Sequence, residues 1–178
     1  MLKDIHVHKT AGGVKMFLHE IYGKDRIRLH LNDMDKEQVL KELVGLLVKT
    51  TGTERGDEIL KVILEREKLV STGINNGIAI PHGKIDNLDG VVGVIGMSDK
   101  GINYDSLDGK PSHIIFLFIS GKSKPEEHLM MLNKISIIAG NQRFRREFLT
   151  AENPESASLI LKKYEAKHGR NRNTDNRI

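Results

Sequence analysis

Three short apolar runs in the middle of the chain, Ile78-Ala79-Ile80, Val91 to Met97 and Ile114 to Ile119, restrict its possible folds more than any other feature. Each is rich in β-branched residues and too short for a helix of ordinary length. Gly, Asn, Asp and Pro separate them, so they are predicted to be buried strands. On either side the period changes to that of helices. Asp35 with Gln38 makes a capping-box pattern ahead of Val39, Leu40, Leu43, Val44 and Leu47, which predicts a helix over residues 35–49. Ile59, Leu60, Val62 and Ile63, in a charged frame from Asp57 to Lys68, predict a second helix beside it, stopped by Ser71-Thr72-Gly73. Downstream, Ser123 and Glu126 form another capping-box pattern, Pro125 falls in the first turn, and Leu129, Leu132, Ile135, Ile138 and Ala139 recur at helical spacing. Gln142 to Leu149 and Pro154 to Lys167 read as two final helices, the last capped by Asn153.

Helices first, strands in the middle and helices last predict an α/β single domain, a mixed β-sheet covered by helices. The 178 residues suffice for one core without a disulfide or structural metal. The domain is expected over residues 16–167, between a flexible leader at 1–15 and a disordered basic tail at 168–178. No apolar run approaches the roughly 20 residues of a membrane helix, and the N-terminus lacks the apolar stretch of a signal peptide. A cytoplasmic protein without membrane insertion is the expectation.

The absence of cysteine removes thiolate catalysis, Cys-ligated zinc and iron–sulfur clusters, and makes histidine the leading candidate nucleophile. His6 and His8 form an H-x-H pair, and His19 or His30 would be needed to extend it, but no third ligand stands at a recognised metal spacing. No metal or cofactor is expected. Net charge is +4, with 19 residues of each sign up to Gly140 and nine basic against five acidic after it. The charge therefore describes one end of the chain rather than the fold. Arg143, Arg145 and Arg146 beside Phe144 and Phe148 fit a helix with its phenylalanines turned inward better than a nucleic-acid surface.

The densest chemical signal is Gly73-Ile74-Asn75-Asn76-Gly77-Ile78-Ala79-Ile80-Pro81-His82-Gly83-Lys84. Glycine-rich turns bracket a strand that delivers His82 into a loop; Pro81 stiffens the approach and Gly83 removes bulk beside the imidazole, leaving it open to a partner. Histidine, ordinarily titrating near 6.5, is largely neutral at cytoplasmic pH and offers a lone pair for attack on phosphorus. The stretch lacks the Gly-Lys-Ser/Thr ending of a nucleotide-binding loop.

From Leu64-Glu65-Arg66-Glu67-Lys68 through Ser71-Thr72-Gly73 to Pro81-His82-Gly83-Lys84, the sequence resembles the enzyme IIA domains of the fructose/mannitol class of the phosphoenolpyruvate:sugar phosphotransferase system, including their nitrogen-regulatory relatives. The likeness continues through residues 101–111 and Pro125-Glu126-Glu127-His128-Leu129, and spans about residues 16–165. The resemblance implies that His82 accepts a phosphoryl group from the phosphocarrier HPr and passes it to a IIB protein or domain. It also implies that Arg66 and His128 stabilise that group, which a guanidinium fork and an imidazole N–H near a helix N-terminus are suited to do. Thr72 is a further candidate hydrogen-bond donor. Two alternatives accompany this reading: a nitrogen-regulatory module whose phosphorylation state switches binding to a target protein, and, more distantly, a nucleic-acid-binding module.

Overall fold

The computed structural model describes residues 7–10 and 13–174, with side chains described over residues 15–167. Strands β1 (Val7–Thr10) and β2 (Gly13–Met16) pair antiparallel, and β2 leads into a short helix α1 (Leu18–Ile21), a 3-10 turn at Lys24–Arg26 and a two-residue strand β3 (Ile27–Arg28). Helices α2 (Lys36–Thr51) and α3 (Gly56–Leu69) follow. Next come β4 (Ile78–Ala79), β5 (His82–Ile85), β6 (Val91–Ile102) and β7 (Ser112–Gly121). Helices α4 (Pro125–Gly140), α5 (Gln142–Leu149) and α6 (Pro154–Thr174) complete the described chain.

The sheet is mixed. Its order is β3-β6-β7-β4, with β5 also on β7, so that β4 and β5 run end to end along the same edge. Strands β6 and β7 are antiparallel, while β3 runs parallel to β6, and β4 and β5 run parallel to β7. Because side chains alternate across a strand, a strand covered on both faces is apolar at every position, which is why the runs in β6 and β7 show no polar alternation. Val92, Val94, Ile115, Leu117 and Ile119 pack on one face with α2 and α3. Val91, Ile95, Met97, Ile114, Phe116 and Phe118 pack on the other with α1, α4, α5 and α6.

The Asp35–Gln38 capping box forms in full: Gln38 N donates to Asp35 Oδ1 at 2.8 Å, and Asp35 N to Gln38 Oε1 at 2.9 Å. Helix α4 differs from expectation at its start, since Lys124 is the N-cap residue, its side chain making no capping hydrogen bond, and Pro125 opens the helix. Proline's fixed φ starts the helix where its missing N–H costs nothing. At the ends, residues 7–10 pair antiparallel with residues 13–16, and α6 runs on to Thr174. The proposed H-x-H pair lies outside the described side chains. His19 is bound to Glu165 (Nδ1 to Oε2, 2.6 Å) and His30 to Asp99 (Nδ1 to Oδ2, 2.7 Å). Phe144 and Phe148 are buried, and Arg145 Nη1 donates to the carbonyls of Ala139 and Gly140 at 2.7 and 2.9 Å, closing the end of α4. Among the described residues no helix is long and apolar enough to cross a membrane.

Candidate active site around His82

His82 does not sit in a loop. It is the first residue of β5, paired in register with Phe118 of β7. Pro81, which has no N–H to give to a ladder, separates β5 from β4, yet its carbonyl still accepts from Phe118 N at 3.1 Å. The break lets the chain re-aim one side chain without leaving the sheet. The imidazole lies nearly parallel to the Phe118 ring, with centroids 5.5 Å apart and planes at 18°. Its Nδ1 is 2.7 Å from the carbonyl oxygen of Ile80. A carbonyl can only accept, so Nδ1 carries the proton and the lone pair of the neutral ring belongs to Nε2. Burial is the main cause that moves the pKa of His82 below the ordinary histidine value, and the positive charges of Arg66 and Lys84 add to it. The ring is accordingly neutral at pH 7, with its free electron pair at Nε2.

Gly83 does something other than clear a path to the imidazole. A Cβ at this position would stand 2.6 Å from Val62 Cγ1 and 3.2 Å from Ile119 Cδ1. The glycine admits Val62 of α3 against β5, on the sheet face opposite His82, so its missing side chain sets the approach of a helix. Arg66 lies one turn beyond Val62 on the same side of α3. Its Nη1 donates to Val70 O at 2.9 Å at the helix end. Among the described residues its other N–H groups carry no hydrogen bond, and its charge acts on both His82 and His128.

His128, in the first turn of α4, stands edge-on to His82 with ring centroids 5.3 Å apart and planes at 66°, and is 5.2 Å from the Phe118 ring. Its Nδ1 is 2.7 Å from Ser120 Oγ. Burial first, and then the positive charges of His82, Lys84 and Arg66, hold its pKa down to about 4. The structure thus gathers two neutral imidazoles around one phenylalanine, with a guanidinium in electrostatic range of both.

This arrangement accompanies a sequence match over residues 20–164 to the family described as phosphoenolpyruvate-dependent sugar phosphotransferase system, EIIA 2. The chain belongs to this family. It is 31% identical over 150 residues to the fructose-specific EIIABC component of Bacillus subtilis, a match that covers 84% of this chain and 24% of that much longer protein. It is also 31% identical over 127 residues to a nitrogen regulatory protein of Bradyrhizobium diazoefficiens, covering 71% of this chain and 82% of the relative. Among solved structures, the nitrogen regulatory protein IIA-Ntr of Neisseria meningitidis superposes with a TM-score of 0.74 at 27% identity, over 80% of this chain and 97% of that one. The mannitol enzyme IIA of Escherichia coli, solved in complex with its phosphorylated IIB, shares the fold with a TM-score of 0.64 at 18% identity, over 79% of this chain and 96% of that one.

Within this EIIA domain, Thr72 directs both of its donors to Glu67. Its hydroxyl and its backbone N–H (2.8 Å) both donate to the buried carboxylate of Glu67, which also holds Lys36 Nζ at 2.9 Å. Lys36 in turn lies 4.7 Å above the Tyr104 ring. Glu67 therefore ties the end of α3, just past Arg66, to the segment that leads into β4. Phe118, Ser120, Glu67 and Lys36 were not singled out by the sequence. Phe118 is inside an apolar run and Ser120 directly follows it, and only the register of β7 against β5 reveals that they face the two histidines.

Proposed function

We propose that the chain is a phosphohistidine carrier of the phosphoenolpyruvate-dependent sugar phosphotransferase system, accepting a phosphoryl group from HPr on Nε2 of His82 and passing it to a IIB component. The observation that carries this reading is the hydrogen bond from His82 Nδ1–H to the Ile80 carbonyl. It leaves Nε2 as the attacking atom and holds the ring still on Phe118. In the transfer, the Nε2 lone pair forms the new N–P bond while the bond from phosphorus to the donor's nitrogen breaks, its electron pair returning to the donor. The proton stays on Nδ1, hydrogen-bonded to the Ile80 carbonyl, which helps the ring to bear the added charge.

Chemistry of this kind asks the protein for alignment and for charge on the equatorial oxygens. Arg66 supplies free guanidinium N–H groups and His128 a ring nitrogen, and among the described residues no carboxylate is hydrogen-bonded to either. The test is transfer from phosphoenolpyruvate through enzyme I and HPr, read by intact mass beside a His82→Ala variant. Acid-labile label on the wild type and none on the variant is the expected result; a folded wild type that takes no label from HPr of its own source contradicts the reading.

A second reading rests on the likeness to nitrogen regulatory proteins. The same phosphorylation adds a dianion to a surface that otherwise presents neutral imidazoles, which would alter affinity for a target protein. A target that binds only the unphosphorylated form in a pull-down supports it, and equal capture of both forms opposes it.

A further inference from the structure

We infer that Ser120 is a positioning residue that fixes the tautomer of His128, so that His128 presents an Nε2–H to a phosphoryl group on His82. The inference deepens the phosphocarrier reading and rests on it. Phe118 and Ser120 are two residues apart on β7 and therefore face the same side of the sheet. One strand thus supports both histidines: Phe118 carries His82 at 5.5 Å, and Ser120 Oγ meets His128 Nδ1 at 2.7 Å.

Ser120 is fully buried, and among the described residues its hydroxyl has His128 Nδ1 as its only partner. Two proton arrangements fit that distance. If Nδ1–H donated to the hydroxyl oxygen, the serine hydrogen would be left buried with no acceptor, at the cost of an unsatisfied polar group. If the serine donates to Nδ1, every buried hydrogen is placed, and the neutral ring must carry its own proton on Nε2. Burial keeps the ring neutral, so the choice of tautomer matters at pH 7.

The two histidines then have opposite tautomers, each set by the partner of its Nδ1. Ile80 offers a carbonyl, which accepts, and leaves His82 with a lone pair at Nε2 for phosphorus. Ser120 offers a hydroxyl, which donates, and leaves His128 with a proton at Nε2 for a phosphoryl oxygen. Without the hydroxyl, the neutral His128 ring is free to place its proton on Nδ1 and turn a lone pair toward the anion. That would replace an attraction with a repulsion.

The inference is tested on the unphosphorylated protein by long-range proton–nitrogen correlation spectra of the imidazoles near pH 7.5. The expected pattern is pyrrole-type Nε2 with pyridine-type Nδ1 for His128, the reverse for His82, a shift of His128 toward a tautomer mixture in Ser120→Ala, and retention in Ser120→Thr. Transfer from phosphorylated HPr should fall on the order of tenfold in Ser120→Ala, matching the loss of one oriented hydrogen bond. The fall should be in kcat rather than KM, with recovery in Ser120→Thr. A wild-type His128 protonated on Nδ1, or a Ser120→Ala variant with unchanged tautomer and rate, overturns the proposal. The tautomer is read without any phosphoryl donor, so a failure of the wild type to accept phosphate counts against the phosphocarrier reading and is distinguishable from a failure of this one.

Discussion

Val62 Cγ1 occupies the space that a side chain on Gly83 would need, 2.6 Å from the position of its Cβ. This contact fixes how closely α3 approaches the edge strand that carries His82, and hence where Arg66 stands one turn later. Gly83→Ala forces either α3 or β5 to move. The expected cost is about 1–3 kcal/mol of stability for overpacking, accompanied by slower phosphoryl transfer, measured by urea unfolding and by the HPr-coupled assay. Shortening Val62 to Ala in the same chain should restore part of both losses, because it returns the volume the new methyl takes.

Arg66 should act through its charge and its fork together. Arg66→Ala is expected to slow transfer on the order of a hundredfold, as for loss of one oriented donor to a developing charge. Arg66→Lys should fall between, since a lysine keeps the charge but loses the planar array of donors. Removing the charge should also raise the pKa of both His82 and His128, because Arg66 lowers each of them. Proton titration of the two rings checks this independently of transfer.

His128 gives folding a pH dependence of definite sign. Its pKa lies at about 4 in the folded protein against 6.5 for an ordinary histidine. Between those values the unfolded chain binds a proton that the folded chain refuses, so stability rises with pH through this window and levels off above it. The whole effect amounts to about 3 kcal/mol, and His82 adds to it in the same direction. Urea unfolding at pH 5 and pH 7 should show a smaller difference in His128→Gln than in the wild type.

The buried carboxylate of Glu67 holds the N–H and hydroxyl of Thr72 and the ammonium of Lys36. Glu67→Ala takes the acceptor from both Thr72 donors and leaves Lys36 with Ser71 and Asp105 at 3.4 Å, and is expected to cost roughly 3 kcal/mol, the range for breaking a buried pair from one side. Thr72→Val removes a single hydrogen bond and should cost about 1 kcal/mol. Since the Thr72 hydroxyl points to Glu67, that variant should change denaturant midpoints more than transfer rates.

The features that could be read from sequence are those whose cause is local. The Asp35–Gln38 box and the apolar runs of β6 and β7 depend on residues close along the chain, and both appear as expected. Strand β3 is only Ile27 and Arg28, made a strand by pairing with Ile95 and Gly96, some seventy residues away, and has no pattern of its own. His82 was expected in a loop because Pro81 ends a strand locally, whereas the parallel pairing with β7 begins a new one. Gly83 was assigned to open access beside the imidazole, since sequence alone could not show that Val62 fills the space on the other face of the strand. His82, Arg66 and His128 were legible as a resemblance. Phe118 and Ser120, which hold the two rings, were hidden in a buried strand whose register is set by its neighbours.

The central claim is chemical and concerns one atom, Nε2 of His82. Phosphorus and nitrogen NMR of the protein phosphorylated through enzyme I and HPr reads it directly. The account predicts a single phosphohistidine at position 82 with phosphorus bonded to Nε2 and the Nδ1 proton retained. Phosphorus on Nδ1, on His128, or on no histidine of a folded and correctly supplied protein would contradict it.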